Sequence, residues 1–390
     1  MKIVEIFYSF PSMVGGSETQ VYSSVRYLLN RGHKVEVIVV TQDTSTPPQS
    51  KNIRFHRIYP KRIGWYYDLY KLIKEIESDG KVDVFEIHMM HYALAIPRNR
   101  KIILSLHLHD PFCPYIYFPH SKEGYLSDEG CFSFFKCRRC VGSLKYLKWK
   151  MIQKYALRKI AKYMVKRQQD RELFMKFGVG KSCIELVPFW INAENISSST
   201  AESIFEDLVH PRFGFLSRLD RPKGALLALK AFRMLIQKGK NASLIIIGDG
   251  PQRKELGMFV RNNGLTDRVK FVGAIPHPEV FRYFSEIDIF LQVQLYSNYG
   301  WSLLESMNSG KPIIATDVGE TRDILEDNWN ALLCEPTPES LCEKMGYIME
   351  NPEIGKKIAK NALKKIREEH SLRNLERYEK LLYKVAGKEE

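Results

Sequence analysis

The stretch LYSNYGWSLLESMNSGKPIIATDV, residues 295–318, decides the fold. Tyr296 to Asn298 reads as a loop and Gly300 as a turn. A short helix then runs through Glu305 to Asn308, Gly310 stops it, and PIIATDV (312–318) forms a buried strand. Ser302 or Asn298 can cap the helix, so its first backbone N–H groups point at whatever lies in front of Gly300. Bare N–H groups beside a glycine suit a phosphate. Glu305, on the first turns, offers a carboxylate that accepts two hydrogen bonds from a sugar diol. Phosphate at the helix end and a diol on the carboxylate together describe a nucleotide.

The surrounding chain repeats this strand–loop–helix order. KIVEIFY (2–8) is followed by Gly15-Gly16-Ser17-Glu18, an amphipathic helix to Asn30, Gly32 and the strand KVEVIVV (34–40), which makes one βαβ unit of a doubly wound parallel sheet. A helix is expected at 65–77, strands at 83–88 and 101–107, and a loop at 108–140. Residues 142–171 read as one long basic helical stretch. Its apolar positions Leu144, Leu147, Met151 and Tyr155 recur at helical spacing, which predicts a core-facing stripe, with docking on a membrane surface as the alternative. CIELVPF (183–189) closes the first half, and the Ser-rich 191–203 reads as a linker. A second series follows, with strands at 212–218, 243–250, 269–275, 289–294, 312–318 and 331–336. Helices at 338–350 and 353–385 end the chain. The expected architecture is α/β, two Rossmann-like doubly wound domains facing across a cleft. Residues 1–190 and 191–367 form the domains, and a terminal helix at 368–390 packs back on the first.

The 390 residues are too many for one core and suit two domains. With 44% hydrophobic and 27% charged residues the chain falls among soluble globular proteins. No apolar run approaches the roughly 20 residues that span a bilayer. The opening MKIVEIFYSF reads as a strand rather than a signal peptide, which predicts a cytoplasmic protein, peripheral at the inner membrane face. The net charge of +14 is uneven: residues 1–195 hold 31 Lys+Arg against 18 Asp+Glu, and the remainder 28 against 27. A basic half beside a near-neutral half suggests an anionic partner for the first domain.

Arg218 and Lys223-Gly224 follow the first strand of the second series, where a loop opens into a helix. Two cations there can neutralise charge that grows as a bond to phosphate oxygen breaks. Gly248, in IIGDGP, and Val272, in VKFVG, end strands that border the same crevice, and backbone at Val272 can read a base edge. His107 and His109-Asp110 end a first-domain strand and can bond a sugar or its phosphate; His88 and His91 end another. Cys113, Cys131, Cys137 and Cys140 supply four thiolates, enough for a closed zinc site, with an iron–sulfur cluster, disulfides or unliganded thiols as alternatives. Cys183, Cys334 and Cys342 lie on apolar segments and read as core.

The segments GGSE (15–18), RGHKVEV (31–37), SRLDRPKG (217–224), IIGDGP (246–251), VKFVG (269–273) and YGWSLLESMNSGKPIIATDVG (299–319) resemble those of retaining nucleotide-sugar glycosyltransferases of GT-B fold, family four. The resemblance covers nearly the whole chain, and the loop with clustered cysteines is similar to that of one subgroup. It implies transfer of a sugar from a nucleotide diphosphate donor to a glycan, lipid-linked or protein acceptor, with retention and with no cofactor required for the chemistry. It implies diphosphate binding by Arg218 and Lys223, and ribose binding by Glu305. Backbone contacts are implied around Gly300, Trp301, Ser302 and Leu303, and a closing loop at Gly15-Gly16. The family's His-Asp pair matches either His107 or His109-Asp110. Where the family has a second glutamate, eight residues before Glu305, this chain has Ser297, so its contacts to the donor sugar differ.

Three other classes make contrasting demands. A nicotinamide-dependent oxidoreductase needs G-x-G-x-x-G after a strand, and here GGSE stands alone. A zinc-containing nucleic-acid binder would leave the phosphate site unexplained, so no nucleic acid is expected. An inactive nucleotide-binding scaffold finds its sequence support in Ser297.

Overall fold

The computed structural model describes residues 1–8, 16–42, 53–60, 64–107, 111–112, 142–191, 203–295 and 301–389. Gly15, His109, Asp110, the four clustered cysteines, Ser297 and Gly300 lie outside the described residues. The chain divides into two compact units, Met1–Trp190 with Leu372–Glu390, and Ile191–Ser371.

The first unit is built on seven strands: β1 (Lys2–Phe7), β2 (Lys34–Val40), β3 (Arg54–Ile58), β4 (Val84–Ile87), β5 (Ile102–Ser105), β6 (Lys162–Val165) and β7 (Ile184–Leu186). Their order is β3-β2-β1-β4-β5-β6-β7, and every pairing is parallel. Val- and Ile-rich runs suit such a sheet because both faces are covered. Successive side chains alternate between the faces. Val4, Ile6, Phe85 and Leu104 join one buried cluster, and Ile3, Phe7, Val37 and Ile103 the other. Helices α1 (Gly16–Asn30), α2 (Trp65–Ser78), α3 (Ser143–Leu157) and α4 (Gln168–Lys176) belong to this unit.

The second unit has β8 (Arg212–Leu216), β9 (Ser243–Ile247), β10 (Val269–Gly273), β11 (Ile289–Gln292), β12 (Ile313–Thr316) and β13 (Leu332–Cys334), in the order β10-β9-β8-β11-β12-β13, again parallel throughout. Its helices are α5 (Ala225–Gln237), α6 (Arg253–Asn262), α7 (Val280–Ser285), α8 (Trp301–Asn308), α9 (Pro338–Glu350) and α10 (Pro352–Glu369). A final helix, α11 (Arg373–Ala386), returns to the first unit. There Leu375, Tyr378, Leu381 and Leu382 are buried, and each aliphatic side chain so buried contributes about 1.5–3 kcal/mol. Glu379 fixes the helix by accepting from His33 Nε2 at 2.8 Å and Tyr27 Oη at 2.9 Å.

Three local expectations are corrected, and one strand is added. The basic stretch 142–171 is not one helix, because β6 interrupts it: KYMV is apolar enough to fill the sheet between β5 and β7. The terminal 353–385 stretch is two helices, broken at 370–372. Strand β3 (RFHRI) has only two apolar residues, as suits an edge strand, and His56 reaches back to Glu36 on β2 at 2.9 Å. Leu144, Leu147, Met151 and Tyr155 do not face the core. They are exposed, while Tyr146, Gln153 and Ala156 are the buried positions of α3. Cys334 and Cys342 are buried, and Cys183 is half-buried.

Candidate functional site

In each sheet the chain leaves the central strand in one direction and returns on its other side, at β1/β4 in the first unit and β8/β11 in the second. Ligands of doubly wound folds lie beyond the carboxyl ends at such switch points. The residues following β8, 217–224, and those following β11 meet there in the second unit. Gly224 has φ +77°, and a Cβ on it would lie 2.2 Å from the Val293 carbonyl oxygen. Leu295 N donates to Pro222 O at 2.9 Å. These contacts clamp the short 3-10 turn Arg221–Lys223 against the end of β11, just before α5 begins. Behind it, a Cβ on Gly248 (φ +126°) would lie 1.9 Å from Ser217 O, and Leu219 N donates to Asp249 O at 2.9 Å. Glycine is required where backbones approach this closely.

Arg218 stands exposed on this floor, its Nε donating to Asp220 Oδ2 at 2.9 Å. An exposed pair of this kind is worth about 1 kcal/mol or less, so the guanidinium can turn to a ligand at small cost. Lys223 lies in the same loop, at the end of the 3-10 turn. Next to them, Gly248 N donates to Gly273 O at 2.7 Å, and the β9–β10 register slips between Phe271 and Gly273. Val272 is therefore the extra residue of a bulge, and its backbone groups are released from the ladder.

Helix α8 carries the carboxylate. Trp301 is its first residue, so Ser302 sits inside the helix and is not its cap, which corrects that expectation; the other candidate, Asn298, lies outside the described residues. Leu303 is buried, and Glu305 is 3% exposed. His277 Nε2 donates to Glu305 Oε1 at 2.7 Å. Burial pushes the Glu305 carboxyl above the usual carboxylate range, while the hydrogen bond and charge of His277 pull it partly back. His277 is the functional candidate that reading the sequence missed. Its only local sign is its place four residues after Gly273, in the loop leaving β10; the bond to Glu305 spans 28 positions. Upstream of α8, Gln294 N donates to Thr316 Oγ1 at 2.9 Å, tying the end of β11 to that of β12.

In the first unit Gly16 opens α1, and Tyr8, at the end of β1, bonds Ser17 Oγ at 3.0 Å. His107 follows β5 and its ring lies 4.9 Å from that of His88, which follows β4. Burial drives His107 well below the ordinary histidine range and His88 down to about 4, so both rings are neutral at pH 7. Behind them lies a buried polar row. Glu5 and Glu86 are register partners on β1 and β4, on the face that α11 covers. Tyr378 Oη donates to Glu86 Oε2 and lies 3.4 Å from Glu5 Oε1. Two adjacent carboxyls out of water cannot both ionise, and burial pushes Glu5 up to about 8. Lys166, pushed down to about 7 by burial, has no hydrogen-bond partner among the described residues and lies over Trp190 at 4.7 Å. His91 sits apart among Trp65, Tyr66 and Tyr92, also held down to about 4 by burial. Among the described residues no group of three or more His, Cys, Asp or Glu could hold a metal, and no helix is long and apolar enough to cross a membrane.

Two family models match, "Glycosyltransferase Family 4" over residues 14–195 and "Glycosyl transferases group 1" over residues 201–365. The chain is 28% identical over 195 residues to the 2-deoxystreptamine glucosyltransferase of Streptomyces kanamyceticus, which spans 47% of this chain and 50% of that protein. To a glycosyltransferase of Methanocaldococcus jannaschii it is 23% identical over 407 residues, covering 99% of this chain and 98% of the other. Among solved structures, HepE of Anabaena in complex with UDP superposes with a TM-score of 0.74 at 16% identity, covering 98% of this chain and 100% of that one. The same protein in complex with UDP-glucose gives 0.72 at 17% identity, over 98% of this chain and 99% of that one. Two parallel α/β units, family models that together take in most of the chain, and structural neighbours over its whole length lead to one conclusion: this chain belongs to the family 4 glycosyltransferases of GT-B fold.

Proposed function

We propose that the chain transfers a sugar from a nucleoside diphosphate sugar to a glycan, lipid-linked or protein acceptor, with retention of anomeric configuration. The observation that carries the reading is the clamped turn at the β8/β11 switch point, which sets Arg218 and Lys223 on a rigid floor in the same unit as the buried Glu305. In this reading Arg218 and Lys223 bind the diphosphate, Glu305 accepts from the ribose hydroxyls with His277 orienting it, and the bulged backbone at Val272 meets the base. The N–H groups of Trp301, Ser302 and Leu303 face donor phosphate or sugar. In the first unit His107, neutral at pH 7, can bond a sugar hydroxyl.

The reaction breaks the bond between the anomeric carbon and the diphosphate oxygen and forms one to the acceptor oxygen on the same face. The acceptor's proton passes to the departing phosphate oxygen, so no protein nucleophile is needed. Negative charge grows on the diphosphate as that bond breaks, and Arg218 and Lys223 stabilise it there. HepE, the structural neighbour bound to UDP and UDP-glucose, makes uridine the base to test first. Calorimetric titration with UDP, GDP and NAD tests the reading. Binding of UDP or GDP that Lys223→Ala removes is the expected result. Binding of NAD alone, or affinity for UDP and GDP unchanged in Lys223→Ala, overturns it.

A further inference from the structure

Helix α3 carries apolar residues on two opposite sides. One row, with Tyr146 and Ala156 buried and Trp149 and Ile152 packed against the core, holds the helix to its unit. The other row is outside: Leu144, Leu147, Met151 and Tyr155 are 83, 53, 58 and 61% exposed. At about 100° per residue this second row forms a stripe opposite the buried one and running the length of the helix. A helix held by one face alone has no folding reason to spend four large apolar side chains on the other.

The chemistry around the stripe selects what covers it. Lys148 and Lys154 flank it, and Arg158 follows at its end, all exposed. No Asp or Glu occurs from Ser143 to Gln169. A second copy of this chain seated on the stripe by two-fold symmetry would bring the same cations face to face with no carboxylate to neutralise them. An anionic bilayer surface satisfies both parts of the pattern. The apolar row enters the acyl boundary, and the long basic side chains extend to the headgroup phosphates. The excess of positive charge in residues 1–195 has the same sign and favours the same partner.

We propose that α3 is a membrane-docking helix that lies in the interface of an anionic phospholipid surface, with Leu144, Leu147, Met151 and Tyr155 inserted and Lys148, Lys154 and Arg158 at the headgroups. This does not rest on the transfer reaction, because lipid association is read without turnover.

The test is co-sedimentation of the full chain with vesicles of phosphatidylcholine alone or mixed with phosphatidylglycerol. Binding is expected to the anionic vesicles and to weaken as salt is raised. Lys148→Glu with Lys154→Glu should weaken it at least about tenfold. Leu147→Ser with Met151→Ser should do so by about tenfold. Both pairs are exposed, so circular dichroism should show the fold unchanged. Tyr155→Trp should shift its fluorescence to the blue on anionic vesicles only. Three outcomes overturn the proposal: no binding to anionic vesicles, equal binding to both kinds, or a dimer in solution that Leu147→Ser with Met151→Ser dissociates.

Discussion

Glu305→Gln tests the proposed ribose contact apart from the proposed phosphate contact. The carboxylate is 3% exposed and held by His277 at 2.7 Å, so a hydroxyl bound to it forms a charge-assisted hydrogen bond away from water. Such bonds are worth about 1.5–3 kcal/mol. The carboxamide keeps an oxygen that accepts from His277, and the fold should lose less than about 1 kcal/mol. Losing the charge should weaken UDP about 10- to 100-fold. Pyrophosphate, which has no ribose, should bind Glu305→Gln and the unchanged protein equally, whereas Arg218→Ala should weaken both ligands. The pH dependence gives a second signature. Because the Glu305 carboxyl titrates above its usual range, UDP affinity should fall as pH drops through that raised value, and Glu305→Gln should remove this dependence. Calorimetry with the two ligands decides the matter. Equal losses for UDP and pyrophosphate in Glu305→Gln would refute the ribose assignment.

Gly224→Ala sets a side chain in the left-handed region and against the Val293 carbonyl at 2.2 Å, while Gly239→Ala has φ +78° with nothing within 4 Å. Both incur the about 1–2 kcal/mol of the conformation, and only the first adds about 1–3 kcal/mol of overlap. Urea denaturation should therefore show Gly224→Ala the less stable, and it alone should weaken UDP. His91 is held down to about 4, so between pH 6.5 and 4 the unfolded chain binds the proton that the folded chain refuses. Stability then rises with pH across that window and is lost as pH falls through it, by about 2–3 kcal/mol for this group. His91→Phe should flatten the fall in Tm between those values, and an unchanged slope would show that His91 takes up its proton without cost. On the sequence alone, Cys113, Cys131, Cys137 and Cys140 predict a stoichiometric zinc in anaerobically purified protein, lost in Cys137→Ser; stable metal-free protein would refute it.

Much of the candidate site was legible because its signals are local. Gly224 and Gly248 mark turns whatever surrounds them, and the Val- and Ile-rich runs mark strands covered on both faces. The order of strands and helices announced two doubly wound domains before any strand was paired, and Arg218, Lys223 and Glu305 became candidates from their places after a strand or within a short helix. The misses share one cause. His277 gains its meaning from Glu305, 28 positions away, and no window along the chain contains both. The strand KYMV lies inside a run of basic helix formers, and only the vacancy between β5 and β7 makes it a strand.

The sequence by itself determined the alternation, the glycine-backed turns, the glycine-bounded stretch around Glu305 and the uneven charge, because these depend on residue type and spacing. Only the tertiary structure decided which side of a pattern is inside. Helix α3 has apolar residues on two faces, and periodicity cannot say which one the sheet covers. Packing buried Tyr146 and Ala156 and left Leu144 and Met151 outside. Likewise, the parallel register of β1 and β4 set Glu5 beside Glu86 under Tyr378, 373 positions from the first of them. Charge and burial act through space, so a carboxyl's proton and a stripe's partner are settled only when distant segments meet.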